Sequence, residues 1–93
     1  MDDLKKRIIE YLDNDSYRIT GHFHQRCKER NVTVEDAVKA IRNGLPDITH
    51  SEINPRFGES HAFIGKDHKD RTIKVVVGFT DDGDHLVFIT VVT

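Results

Sequence analysis

The spacing of apolar residues changes about halfway along the chain, from a helical period to the period of two that is typical of strands. The first segment, residues 2–13, places its apolar residues three or four positions apart, which predicts an amphipathic helix. These residues are Leu4, Ile8, Tyr11 and Leu12. The Asn-Asp-Ser sequence at residues 14–16 then ends the helix, because these residue types favour turns.

A second helix is predicted over residues 21–30. Thr20 is a suitable N-terminal cap, and Asn31 tolerates the left-handed conformation that closes many helices. Phe23 and Cys27 lie four positions apart on one side of this helix and are predicted to face the core. Because a buried thiol is usually unreactive, Cys27 is interpreted as a small core residue.

The third helix has the clearest start signal. Thr33 and Asp36 are spaced as in a capping box, with Asp in place of the more usual Glu. Gly44 is predicted to end this helix, and Pro46 prevents its continuation. The apolar residues that form its buried stripe are Val34, Ala37, Val38 and Ile41.

Four strands are predicted in the second half of the chain, where the period is two. They cover residues 47–53, 61–65, 71–79 and 85–92. The first is poor in apolar residues and is interpreted as an edge strand. Residues 54–58 are predicted to form a loop, and residues 81–83 a hairpin turn.

The last two strands are the most apolar. The third strand is predicted to place Ile73, Val75, Val77 and Phe79 on one face. The last strand is apolar on both faces, which is typical of a central strand that is covered on both sides. Simple alternation places Val87, Ile89 and Val91 on one of its faces, and Leu86, Phe88 and Val92 on the other.

The composition limits the chain to one core. It has 93 residues, of which 37% are hydrophobic, enough for one small domain and too few for two. Helices followed by antiparallel strands indicate an α+β fold. We therefore expect a single domain over residues 1–93, in which two to three N-terminal helices pack on a mainly antiparallel sheet of about four strands.

Charge and cysteine content exclude several classes of protein. The chain has 14 Lys and Arg against 16 Asp and Glu, a formal net charge of −2, which excludes a broad basic surface for nucleic acid but not a small site. One cysteine cannot form an internal disulfide. No apolar run reaches roughly 18 residues and no signal peptide is recognisable, so we expect a cytoplasmic protein without a membrane segment.

Six histidines are many for a chain of this length. His22 and His24 point to different sides of their helix and cannot bind one ion together. The other four are scattered over different strands and loops, namely His50, His61, His68 and His85. No pair has the spacing of a zinc motif, so no metal and no cofactor are expected. A metal site assembled from distant histidines stays open as an alternative.

His22, Arg26 and Arg30 form a row along the second helix, four positions apart, at the border of its buried side. In one interpretation the row lines a cleft, where the guanidiniums bind phosphate and the imidazole transfers a proton. In the other, the row is structural, with arginine stems on apolar surface and carboxylates such as Glu29 as partners. The spacing alone leaves both interpretations open.

The same row resembles the opening signature of the domain of unknown function 4258 family. That signature has a Thr-x-His start, Arg four and eight residues later, a turn, and a helix that ends in Asn-Gly, here Asn43-Gly44. Residues 71–77 and the Ile-Thr-Val sequence at residues 89–91 resemble the family's Arg-led strand and its closing strand. The resemblance covers about residues 19–93.

The resemblance implies a fold similar to RelE- and BrnT-type toxins, small bacterial ribonucleases that an antitoxin silences. It also implies site residues, which match signature positions: His22, Arg26, Arg30, Arg71 and Thr90. The chain departs from the family at Val92, which stands where a tyrosine is usual. If that phenol takes part in RNA cleavage, this chain lacks it.

Two functions follow as hypotheses. The first is a metal-independent endoribonuclease of a toxin–antitoxin system, with RNA as substrate and an antitoxin as partner. His22 would be base or acid, His61 the second proton carrier, and the arginines of the signature would hold the phosphate. The second is a non-catalytic module that binds a protein partner or a second copy of itself, for example through the edge near residues 47–53.

Overall fold

The computed structural model describes residues 3–47, 53–54 and 58–93 and shows an α+β fold, as the sequence predicts. Three helices precede most of the strands. The helices are α1 (Asp3–Asp13), α2 (Gly21–Arg30) and α3 (Val34–Asn43). The strands are β1 (Tyr17–Ile19), β2 (Leu45–Pro46), β3 (Ile53–Asn54), β4 (Gly58–Glu59), β5 (His61–Lys66), β6 (Thr72–Phe79) and β7 (Leu86–Val92).

Five of the strands form one sheet in the order β1-β7-β6-β5-β2, and β3 pairs with β4 in a separate hairpin. All pairs in the large sheet are antiparallel except β1 with β7. The predicted mainly antiparallel sheet is confirmed, and β7 is central, between β1 and β6. The sequence does not predict β1 and β2, because strands of three and two residues are too short to show a period.

The predicted caps of α2 and α3 are confirmed. The hydroxyl of Thr20 accepts a hydrogen bond from the backbone N–H of Phe23 at 3.0 Å, and Asn31 adopts the left-handed conformation with φ 55°. Thr33 and Asp36 make both bonds of the capping box, each 3.0 Å long. Local hydrogen bonds therefore fix both ends of α2 and the start of α3.

The strand predicted over residues 47–53 is only partly testable. Asp47 lies outside any strand, residues 48–52 lie outside the described residues, and Ile53 begins β3. The loop predicted over residues 54–58 has its ends in the β3–β4 hairpin, where Asn54 pairs with Gly58.

The helices cover one face of the large sheet, and the core lies between them. Its largest fully buried members come from both layers, among them Ile8, Phe23, Ile41, Phe63, Ile73, Val75, Leu86 and Phe88. A Cβ atom on Gly65 would lie 2.0 Å from the carbonyl oxygen of Ala40, so α3 approaches β5 closely at a position that only glycine fits. No helix in the described part of the chain is long and apolar enough to cross a membrane.

A β-bulge changes the faces of β7. Val77 pairs with Phe88, but the preceding residue of β6, Val76, pairs with Thr90, so Ile89 is the extra residue. Beyond the bulge, side chains exchange faces: Val91 joins the core, and Thr90 points to the sheet face away from the helices. The prediction that Val91 shares a face with Val87 is therefore wrong, because simple alternation cannot include the extra residue.

Candidate functional site

The start of α2 is fixed to the middle of β7. β1 pairs with β7 only as far as Phe88, and there the hydroxyl of Thr20 donates a hydrogen bond of 3.0 Å to the Phe88 carbonyl. Three residues later, the ring of Phe23 meets the ring of Phe88 edge to face, with 5.2 Å between the centroids. This anchoring places α2 along the end of β7 that β1 leaves unpaired.

A groove of about 330 Å³ lies between α2 and the sheet. The helix contributes His22, Arg26 and Arg30, and the strands contribute Lys74, Val76, Thr90, Val91 and Val92. Lys74 and Val76 alternate along β6 with core residues, and Thr90 pairs with Val76. These three residues therefore lie on the sheet face away from the helices. The groove therefore brings a helical row of one imidazole and two guanidiniums to an ammonium and a hydroxyl on the sheet.

Two of the cations in the groove have partners, and the side chains of its other polar residues have none in the described part of the chain. Arg26 pairs with Glu29 at 3.2 Å, and Lys74 pairs with Asp47 at 3.3 Å. Within the described residues, the side chains of His22 and Arg30 make no hydrogen bond or ion pair. No side chain of the helical row bonds to the described part of the sheet, but the pair of Arg26 with Glu29 is the contact that the structural interpretation predicts.

Arg71, the third arginine of the predicted site, lies outside this groove. Its Nε donates to Asp67 at 2.8 Å, and its two terminal nitrogens donate to the carbonyls of Arg30 at 3.2 Å and Asn31 at 2.9 Å. The guanidinium thus satisfies carbonyls at the C-terminal end of α2, which have no partner within the helix. In this position Arg71 holds the helix end that carries Arg30.

Asp67 in turn fixes Arg71. Its carboxylate is fully buried and also accepts the backbone N–H groups of Lys69 and Arg71. Burial by itself raises the pKa of Asp67, but the hydrogen bonds from Arg71 and Lys69 outweigh it and hold this pKa below its ordinary value of 3.8. The pKa of a second carboxylate, Asp36, is also held well below 3.8, because hydrogen bonds from Thr33 and His68 outweigh the effect of its burial.

Acid is therefore expected to destabilise the fold. Both Asp36 and Asp67 have folded pKa values below 3.8, so below that pH the unfolded chain binds protons that the folded chain does not. Their contribution is present at neutral pH and is lost as the pH falls from about 5 through the folded pKa values. Urea unfolding between pH 7 and pH 3 measures this loss. The free energy of unfolding of Asp67→Asn should fall less steeply with decreasing pH than that of the wild type. An identical slope in wild type and variant would contradict the assignment.

His61, the predicted second proton carrier, lies on the other face of the sheet. It pairs with Val77 on the face covered by the helices, and its ring contacts Phe79 at 5.8 Å. The sheet therefore separates His61 from the groove, which opens on the opposite face. Neither His61 nor Arg71 lines the groove together with His22.

Lys74 is a groove residue that no motif in the sequence indicates. Its position between Ile73 and Val75 places it on the outer face of β6, which alternation alone predicts. Its neighbours on β7 could not be predicted in the same way, because an unbroken register would put Thr90 beside Val75 on the core face. The bulge at Ile89 moves Thr90 to the face of Lys74.

Other sites in the described residues carry less chemistry. A cavity of about 540 Å³ follows α3, and its lining includes the apolar residues Leu12 and Val38. Arg42 at its rim is paired with Asp13 at 2.8 Å. Burial, with the charge of Asp36, raises the pKa of the Cys27 thiol. No group of three His, Cys, Asp or Glu residues is placed to hold a metal ion in the part of the chain that the structure describes.

A family model described as a domain of unknown function (DUF4258) matches residues 19–93, which include α2, α3 and the whole large sheet except Tyr17 and Arg18. No curated protein and no solved structure matches the chain.

Proposed function

The chain belongs to the DUF4258 family, and we propose that it is a metal-independent endoribonuclease of the toxin type that binds single-stranded RNA in the groove. The observation that carries this proposal is the convergence of His22, Arg26 and Arg30 with Lys74 and Thr90 around one groove. Phosphate is the ligand that guanidinium and ammonium groups share, and an imidazole titrates in the range needed to move a proton at neutral pH.

The proposed reaction uses the 2′-hydroxyl of RNA as its nucleophile. His22 takes the 2′-hydroxyl proton, the 2′-oxygen bonds to phosphorus, and the bond from phosphorus to the 5′-oxygen breaks. The products are a 2′,3′-cyclic phosphate and a 5′-hydroxyl. The ammonium of Lys74 supplies the proton for the leaving 5′-oxygen, and water then carries the proton that His22 took back to Lys74.

The remaining groups of the groove bind charge. Arg30 has no partner among the described residues, so it is free to take the phosphate, and Arg26 can exchange its exposed bond with Glu29 for the same ligand. The hydroxyl of Thr90 donates to a phosphate oxygen. Arg71 acts at a distance in this proposal, because it holds the end of α2 and thereby positions Arg30.

The toxin assignment rests on what the resemblance to the DUF4258 family implies, a fold similar to RelE- and BrnT-type toxins and an antitoxin as partner. A non-catalytic interaction module is the second candidate, and the exposed apolar residues on the outer sheet face favour it. The two candidates differ in one result. The purified chain cleaves RNA if it is a ribonuclease and leaves RNA intact if it is a module that only binds a partner.

RNA binding is expected to depend on salt through the groove cations. Each cation that neutralises a phosphate of single-stranded RNA contributes about 0.7 to the slope of log affinity against log salt. Arg30→Ala should therefore reduce this slope by about 0.7 and weaken binding at low salt. Fluorescence anisotropy of a labelled oligonucleotide, between about 50 and 200 mM salt, measures both quantities.

Lys28→Ala is the matched control for this titration. Lys28 is exposed on the same helix but lines a different cavity, with His24 and Cys27. The variant removes the same charge from the chain without changing the groove. Equal slopes for Arg30→Ala and Lys28→Ala would show that RNA senses the general charge of the protein and would contradict binding in the groove.

A further inference from the structure

The cavity of about 540 Å³, which we call the α3 cavity, lies between α3 and the turn that joins α1 to β1, and it shares no residue with the groove. Four of its lining residues are apolar or aromatic, namely Leu12, Tyr17, Val34 and Val38. Volumes of about 300–1,000 Å³ with mainly apolar walls are typical of sites for small organic molecules. A protein partner normally contacts about 20–30 residues, whereas 10 residues line this cavity. Its size therefore suits a small molecule better than a second protein.

Two carboxylates line the α3 cavity without a partner among the described residues. Asp15 lies in the turn after α1 and Glu35 in the first turn of α3, and both are exposed. Neither side chain makes a hydrogen bond or an ion pair within the described part of the chain. The two cations of the lining are engaged, because Arg42 pairs with Asp13 at 2.8 Å and Lys39 donates to a backbone carbonyl at 3.3 Å. With Arg42 balanced by Asp13, two carboxylates remain against one ammonium.

His68 adds a third hydrogen-bond acceptor to the lining. The carboxylate of Asp36 accepts the backbone N–H of His68 at 3.1 Å and also bonds to Nδ1 of its ring. Because an ionised carboxylate can only accept, the proton of the neutral imidazole lies on Nδ1 and leaves Nε2 as an acceptor. The acceptors of the α3 cavity therefore come from three separate parts of the chain, namely the turn after α1, the helix α3 and the loop after β5.

We propose that the α3 cavity binds a small organic cation, a molecule with an apolar body and a protonated amine. The apolar body packs on Leu12 and Val38, and the ammonium donates to the acceptors of the lining. A primary ammonium has three N–H donors and no acceptor, so it can bond to more than one of these groups at a time. The carboxylates of Asp15 and Glu35 repel an anion such as the phosphate of RNA. This inference does not depend on the proposed ribonuclease activity, which uses a different set of residues.

Three probes of similar size and different charge test the cavity, namely phenethylamine, phenethyl alcohol and phenylacetate. Each is titrated into the isotope-labelled full chain at neutral pH, and binding is followed by the nuclear magnetic resonance shifts of the backbone amides. The amine should shift the signals of α3 and of the α1–β1 turn, with a dissociation constant at least about fivefold below that of the alcohol. Phenylacetate should bind most weakly. The proposal is overturned if the amine shifts no signal of the cavity at about 10 mM, or if the alcohol binds as tightly as the amine.

Two substitutions that remove one charge each test the role of the carboxylates. Glu35→Gln and Asp15→Asn should each raise the dissociation constant of phenethylamine by about two- to fivefold and leave that of phenethyl alcohol unchanged. Both variants should fold, because both positions are exposed and asparagine tolerates the left-handed conformation of Asp15, with φ 54°. Glu10→Gln is the matched control, since Glu10 is exposed on α1 and lines a different cavity with Arg7. An unchanged constant in both cavity variants, or the same increase in Glu10→Gln, contradicts the proposal.

Discussion

Replacing His22 with alanine is expected to lower the rate of RNA cleavage in EDTA by about 100- to 10,000-fold. His22 is the imidazole of the groove, and a positioned general base or acid contributes that much to a proton-transfer step. Its side chain makes no hydrogen bond or ion pair with the described residues, so its loss should leave the fold intact. Single-turnover cleavage of a labelled oligonucleotide, with saturating protein, measures the chemical step.

His24→Ala is the matched control for this experiment. His24 is exposed on the same helix, two residues away, but lines a separate cavity with Cys27 and Lys28. The variant removes an imidazole from α2 without touching the groove and should cleave RNA at the wild-type rate. If both histidine variants retain full activity, His22 is not the proton carrier. If both lose it equally, the effect comes from α2 as a whole.

Replacing Phe23 with alanine is expected to lower the free energy of unfolding by about 3–5 kcal/mol, the range for a fully buried aromatic side chain. Phe23 is 0% exposed, and its ring packs edge to face on Phe88, which anchors α2 to β7. Small domains are stable by about 5–15 kcal/mol, so this loss is a large fraction of the total. Urea unfolding followed by circular dichroism measures it.

Leu45→Ala is the comparison for Phe23→Ala. Leu45 is also a large apolar residue, but it is 72% exposed, so its truncation should change the free energy of unfolding by less than about 0.5 kcal/mol. Similar losses for the two variants would contradict the core that the structure describes.

Much of the fold could be predicted because its signals are local. The second helix was predicted with its observed limits, since Thr20 and Asn31 mark its ends through their own hydrogen bonds and backbone conformation. The apolar alternation of β6 likewise follows from neighbouring residues. The row of His22, Arg26 and Arg30 was visible for the same reason, because four-residue spacing on a helix needs no tertiary information.

The rest depended on contacts between distant residues. The family resemblance assigns Arg71 to the phosphate-binding cations, whereas its partners are Asp67 and carbonyls some 40 positions earlier in the chain. The bulge at Ile89 has no sequence signal of its own, yet it decides that Thr90 faces the groove. A row of residues along a helix can be recognised in a sequence, but the strand residues opposite it can be predicted only when the register of the strands is known.

Cleavage of RNA through the 2′-hydroxyl is tested most directly by the products from an oligonucleotide with one ribose among deoxyribonucleotides, incubated with the protein in EDTA. We expect one cut, after the ribose, with a 2′,3′-cyclic phosphate on one product and a 5′-hydroxyl on the other, and no cut by His22→Ala purified in parallel. An intact oligonucleotide, a cut after a deoxyribonucleotide, or equal cutting by His22→Ala would contradict it.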